Sequence, residues 1–124
     1  MQLNHRRFGN AVLLAAAGRI DHASAEAFSK ALQPYLDHCM AGGDAIVLDF
    51  SAVEYISSVG LRVLMLGAKR VRLAQGAFAV AALQPVVREI FEISKFTMVV
   101  PCYATVREAL AVLAPEALAS YDAT

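Results

Sequence analysis

The chain has 124 residues, enough for one domain, and hydrophobic residues make up 58% of it, so a core of its own can form. Lys plus Arg balances Asp plus Glu at 11 each, so no sequence-independent attraction to nucleic acid is expected. No apolar run reaches the roughly 18 residues that cross a bilayer, the start Met1–Gly9 lacks an export signal's apolar stretch, and Cys39 and Cys102 share no metal-ligand spacing with the histidines. These features predict a cytoplasmic protein with reduced, structural thiols, no membrane insertion and no metal or cofactor.

Leu3–Phe8 and Ala11–Ala17 read as two short strands around the turn pair Gly9-Asn10. The second run is continuous and apolar, as in a buried central strand, although its alanines also suit a helix. Gly18-Arg19-Ile20-Asp21 breaks the pattern, and Asp21 stands where a helix N-cap would. A first helix is expected over Ala23–Ala41, with Phe28, Leu32, Tyr35, Leu36 and Cys39 on one face. Pro34 should bend or interrupt it and Gly42-Gly43 should stop it; His22 and His38 read as surface or capping residues.

Ile46–Phe50 is short, apolar and rich in branched residues, which predicts a buried strand. Ser51–Ser57 reads as a connection, and from Ser58 to Gln75 the apolar residues Leu61, Leu64, Ala68 and Val71 recur at helical spacing. Ser57 and Ser58 thus stand where a strand hands over to a helix, and either can cap it, which is the common use of serine there. The same place favours an anion, so a phosphate on Ser58 would add about −1.5 to −2 charges without melting the helix. Arg62, Lys69 and Arg72, with Arg70 alongside, fall opposite the apolar stripe. They suit a solvated face and a helix C-terminus; Arg62, one turn past Ser58, suits an acidic partner or a phosphate equally well.

Ala77–Ala82 predicts another inner strand, Pro85 a third helix with Val87, Ile90, Phe91 and Ser94 on one face, and Thr97–Val100 a last strand closed by Pro101. Thr105–Leu113 predicts a fourth helix with Val106, Ala109, Leu110 and Leu113 inward, stopped by Pro115. The alternation predicts an α/β fold in one domain over 1–124, with its core at about 3–113 and a tail over 114–124 that is frayed or a loosely held helical turn. The sequence holds no Gly-x-Ser-x-Gly elbow, no triphosphate loop and no glycine-rich dinucleotide turn. Only Asp21 and Asp49 are expected near Ser58, and a serine with one carboxylate and no base makes no hydrolase, so no enzyme is expected.

The string Asp49-Phe-Ser-Ala-Val-Glu-Tyr-Ile-Ser-Ser-Val-Gly-Leu-Arg-Val-Leu64 resembles the signature of the STAS domain, the fold of bacterial anti-sigma factor antagonists. Gly18, Ile20 and Asp21 match that family's Gly-x-Leu/Ile-Asp loop, and the order of strands and helices matches over about Leu3–Leu113. The resemblance implies a mostly parallel central sheet of about five strands with four helices, and an aspartate, here Asp49, at the end of the third strand. It places Ser58 at the position that an anti-sigma factor, itself a serine kinase, phosphorylates; Ser57 is the alternative hydroxyl. Many members have aspartate where this chain has Ser57. The implied partner surface comprises Asp21, Ser57, Ser58, Gly60 and Arg62. The implied function is to bind the anti-sigma factor when unphosphorylated and to leave it when phosphorylated, with a serine phosphatase resetting the switch, so that transcription changes without contact to nucleic acid. The alternative is a non-switching STAS subunit of a transport or sensor complex, which the serine at position 57 slightly favours.

Overall fold

The computed structural model describes residues 1–124. The elements are β1 (Asn4–Phe8), β2 (Ala11–Ile20), α1 (Ala25–Leu36), β3 (Ala45–Ile56), α2 (Ser58–Leu73), β4 (Ala77–Ala81), α3 (Pro85–Ile93), β5 (Cys102–Tyr103), α4 (Val106–Leu113) and α5 (Leu118–Asp122). One five-stranded sheet runs in the order β1-β2-β3-β4-β5. β1 pairs antiparallel with β2 across the Gly9-Asn10 turn, and every other neighbour is parallel.

The two-residue period of the strands divides the core between the sheet's faces. Val12, Leu14, Ile46, Leu48, Phe50 and Val80 point to one side, where α1, α2 and α3 bury Phe28, Leu32, Leu64, Val71, Val87 and Phe91. Ala11, Leu13, Ala45, Val47 and Ala81 point to the other, where α4 and the C-terminal segment pack through Ala109, Leu110, Ala114 and Ala117. The first face is built of large side chains and the second mostly of alanines. Cys39 donates its thiol hydrogen to the Ala77 carbonyl (3.2 Å). Desolvation pushes both thiols up to about 11, so both stay protonated at neutral pH.

Several boundaries differ from the sequence expectation. β2 continues through Gly18–Ile20 instead of breaking at Ala17, and β3 takes in the expected connection as far as Ile56. These two extensions pair with each other, Gly18 with Val53 and Ile20 with Ile56, across register shifts that scatter the apolar pattern. α1 stops at Leu36, two residues past Pro34, and the chain closes with the tighter bonds His38 N–H to Tyr35 O and Cys39 N–H to Leu36 O. Thr97–Val100 is not a strand: a 3-10 turn over Phe96–Met98 buries Phe96 against Phe91, and β5 follows at Cys102. α2 ends at Leu73, and the left-handed Gln75 lets the Gly76 amide reach back to the Val71 carbonyl (2.9 Å).

The tail takes the second of the two forms expected of it, a helical turn, and is held more firmly than expected. After a 3-10 turn over Pro115–Ala117, α5 lays Tyr121 edge-on against Phe8 (5.2 Å between centroids), and Arg107 holds Asp122 through two bonds of 3.1 and 3.0 Å. α5 is thus a fifth helix. Tyr121→Ala should lower the unfolding free energy by about 1–2 kcal/mol in a urea titration, the loss of one half-buried aromatic and its ring contact. An unchanged midpoint would mean that the tail adds nothing to the core.

Candidate functional site

The site is built where β2 and β3 outrun the rest of the sheet. β4 ends opposite Asp49, whereas β2 and β3 stay paired to Ile20 and Ile56. The Ser57 amide then donates to the Ile20 carbonyl (2.8 Å), and the chain turns into α2. Ser57 has extended backbone (φ −86°, ψ 172°), and its Oγ accepts the Gly60 amide at 3.2 Å, so it is the N-cap. Its carbonyl accepts the first helical bond from Leu61 (2.9 Å).

Ser58 is the first helical residue, is exposed, and makes no side-chain hydrogen bond. Gly60 explains why it faces outward. A Cβ on Gly60 would lie 2.8 Å from Ile56 Cγ1, 2.9 Å from Ile20 Cγ2 and 3.0 Å from the Ile20 carbonyl oxygen. The helix therefore presses its glycine onto the strand tips, and a residue two positions earlier lies about 200° around the axis, on the solvent side. The opening turn carries unpaired amides at Ser58 and Val59 beside that hydroxyl.

Asp21 follows Ile20 directly and so shares the tip. Its Oδ1 accepts the Ala23 and Ser24 amides (3.1 and 3.2 Å), while the Ser24 hydroxyl accepts the Asp21 amide (3.0 Å) and lies 2.9 Å from the Arg19 carbonyl. Desolvation pushes the Asp21 carboxyl up, but the Ser24 and Ala23 bonds and the Arg19 charge outweigh it and hold it below the ordinary value. Asp21 thus organises the turn into α1, with Oδ2 left 3.9 Å from Arg19 Nε. The Arg19 guanidinium lies 4.4 Å from the centre of the Tyr55 ring, a pairing set by the register of β2 on β3. Sequence reading missed this pair because the register shifts decide which residues face each other.

Arg62 stands exposed one turn after Ser58 without an ion pair, beside a groove of about 330 Å³ between α1 and α2 lined by Val59, Val63 and Leu66. Lys69 is likewise exposed. Arg70 instead ties α2 to α1 through Asp37 and the Gln33 side chain (2.7 Å to the latter), and Arg72 donates to the Val99 carbonyl (3.0 Å). Asp49 does not join the site. It sits inside β3, its Oδ1 accepts the Ser51 amide (2.9 Å), and the seven residues to Ile56 put it roughly 20 Å from the helix start. The third strand therefore runs on past the aspartate expected to end it.

The STAS domain family model matches residues 2–109. BtrV of Bordetella bronchiseptica, whose name proposes it as an anti-sigma factor antagonist, is 38% identical over 111 residues, 90% of this chain and 92% of its own. The crystal structure of an anti-sigma factor antagonist from Mycobacterium paratuberculosis superposes with a TM-score of 0.80 at 25% identity, over 90% of this chain and 92% of that one. SpoIIAA, an anti-sigma factor antagonist of Bacillus, has been solved unphosphorylated (TM-score 0.69, 18% identity, 89% and 94% covered) and phosphorylated (0.63, 17%, 89% and 97%). At those identities the SpoIIAA likeness is one of fold.

The two serines should separate by stability alone. Ser57→Ala removes the cap and should cost about 1 kcal/mol in chemical denaturation, whereas Ser58→Ala should stay within about 0.5 kcal/mol of the parent. Equal effects would contradict the division of labour between them. Gly60→Ala should cost about 1–3 kcal/mol by overpacking and shift the amide resonances of Ile20 and Ile56.

Proposed function

The chain belongs to the STAS domain family, and on that footing we propose that it is an anti-sigma factor antagonist switched by phosphorylation of Ser58. Unmodified, the surface of Asp21, Ser57, Ser58, Gly60 and Arg62 docks on an anti-sigma factor that is also a serine kinase. The sigma factor is released and transcription changes without this chain touching nucleic acid. The observation that carries the proposal is the Ser58 hydroxyl, exposed and unbonded at the first position of a well-anchored helix.

The physics of the switch follows from that position. The helix start stabilises a phosphate, so the modification leaves the fold intact and acts through the interface. Against a docked partner the phosphate would lose its water, and the single charge of Arg62 one turn away offsets only part of a dianion, which leaves a cost of several kcal/mol. A loss of about 4 kcal/mol weakens binding roughly a thousandfold. A separate serine phosphatase restores the neutral hydroxyl, and the kinase's need for ATP sets the cycle in the cytoplasm. The chain itself catalyses nothing in this scheme.

Ser57, where many members carry aspartate, fits the same reading. The position is an N-cap, and serine and aspartate fill that role about equally well. The departure that favoured a non-switching subunit thus has a structural explanation that leaves the switch untouched.

Incubation with ATP and a histidine-kinase-like anti-sigma factor from the same organism tests the proposal. Mass spectrometry should find one added phosphate on the peptide holding Ser58, retained in Ser57→Ala and lost in Ser58→Ala. Ser58→Ala should keep partner binding and Ser58→Asp should lose it by about a thousandfold, without a fall in Tm. Tight association without phosphate transfer, from a kinase active on another substrate, would replace the switch with the scaffold role.

A further inference from the structure

The sheet stops short on its β5 side. β5 pairs only with Val80 and Ala81, so Ala77–Ala79 of β4 have no neighbour there. The Val80 and Ala82 amides donate outward to the Pro101 and Tyr103 carbonyls (3.0 Å each). By the two-residue period, the amide and carbonyl of Phe78 turn the same way. Pro101, whose amide would reach the Phe78 carbonyl if the parallel ladder continued, has no N–H to give. The Val99 carbonyl, the next acceptor, is taken by Arg72.

This open edge is the floor of a cleft of about 430 Å³, walled by Val71 and Arg72 of α2 on one side, by Val112 and Leu113 of α4 on the other, and closed at the β5 end by Val99 and Pro101. Arg72 is the one charged residue that lines it. Val112, one of the apolar residues that line it, is 61% exposed.

We propose that this cleft receives an extended apolar segment of a partner protein, added to β4 as a further strand, with a carboxylate of that segment against Arg72. Unpaired backbone groups along a strand edge recognise another extended backbone, and alternate side chains of the guest enter the flanking walls. Neither described end of the chain is the guest: Met1 and Leu3 pack on the core beside β1, and α5 packs on Phe8 of β1, the opposite edge. The lone arginine selects for negative charge on the guest. The cleft lies at the C-terminal end of α2, roughly 20 Å along its 16 residues from Ser58, so a guest held there does not touch the Ser58 surface.

Selection of a displayed random hexapeptide library on the folded chain, with Val112→Lys as counter-target, tests this, followed by a ¹⁵N NMR titration of the selected peptides. Val112 is exposed, and the unfolding midpoint of the variant verifies that it folds. The expected peptides are apolar at alternate positions and carry an acidic residue. They should shift the Phe78 amide and slow its hydrogen exchange, bind Val112→Lys about tenfold more weakly, and lose most of their preference for acid over amide in Arg72→Gln. No enrichment over Val112→Lys, or shifts at Ser58 and Gly60 in place of Phe78, would overturn the proposal.

Discussion

The close approach of Gly60 to Ile20 and Ile56 is the constraint on which the site rests. Those isoleucines end the paired extensions of β2 and β3, and the first turn of α2 is seated on them with no room for a side chain between. Once that contact is made, the helical period leaves Ser58 no direction but outward, and the Ser57 cap and the Ile20 carbonyl fix the entry angle. The spacing serine–any–glycine is therefore a steric statement: the glycine seats the helix on the strand tips, and the serine is left facing solvent.

Asp21 joins the same tip by a different route. Its carboxylate is spent on the amides of the turn into α1, which makes it a local organiser whose second oxygen still faces solvent beside Arg19. Arg70 has a comparable role farther down α2, where it braces the helix against Asp37 and Gln33. Of the four basic residues on α2, the two without such duties are Arg62 and Lys69. Arg62 is the one within a turn of Ser58.

Much of this was legible in the residues. The stripe Leu64, Ala68, Val71 and the handover at Ser57–Ser58 located α2, and Pro85 located α3, because strong periodicity and special backbone chemistry act locally. The register shifts in β2 and β3 were not legible: they break the alternation, so Ser51–Ile56 resembled a loop and Arg19 had no evident partner in Tyr55. Thr97–Val100 misled for the opposite reason. Its composition suits a strand, but Phe96 is needed in the core against Phe91, and a tight turn is what delivers it. The tail's order depends on a contact with Phe8, more than a hundred residues earlier, to which no local pattern points.

The unequal faces of the sheet carry a consequence for how this fold can vary. Under α1–α3, bulky side chains interdigitate, so losses of volume leave holes but exchanges among large residues can be absorbed by neighbours. Beneath α4 and the C-terminal segment six of the ten buried residues are alanines, which have little volume to lose and little space to gain, while Phe8, Leu13, Val47 and Leu110 supply the bulk. Drift in the sequence should therefore be broad on the first side and narrow in size at the alanines of the second.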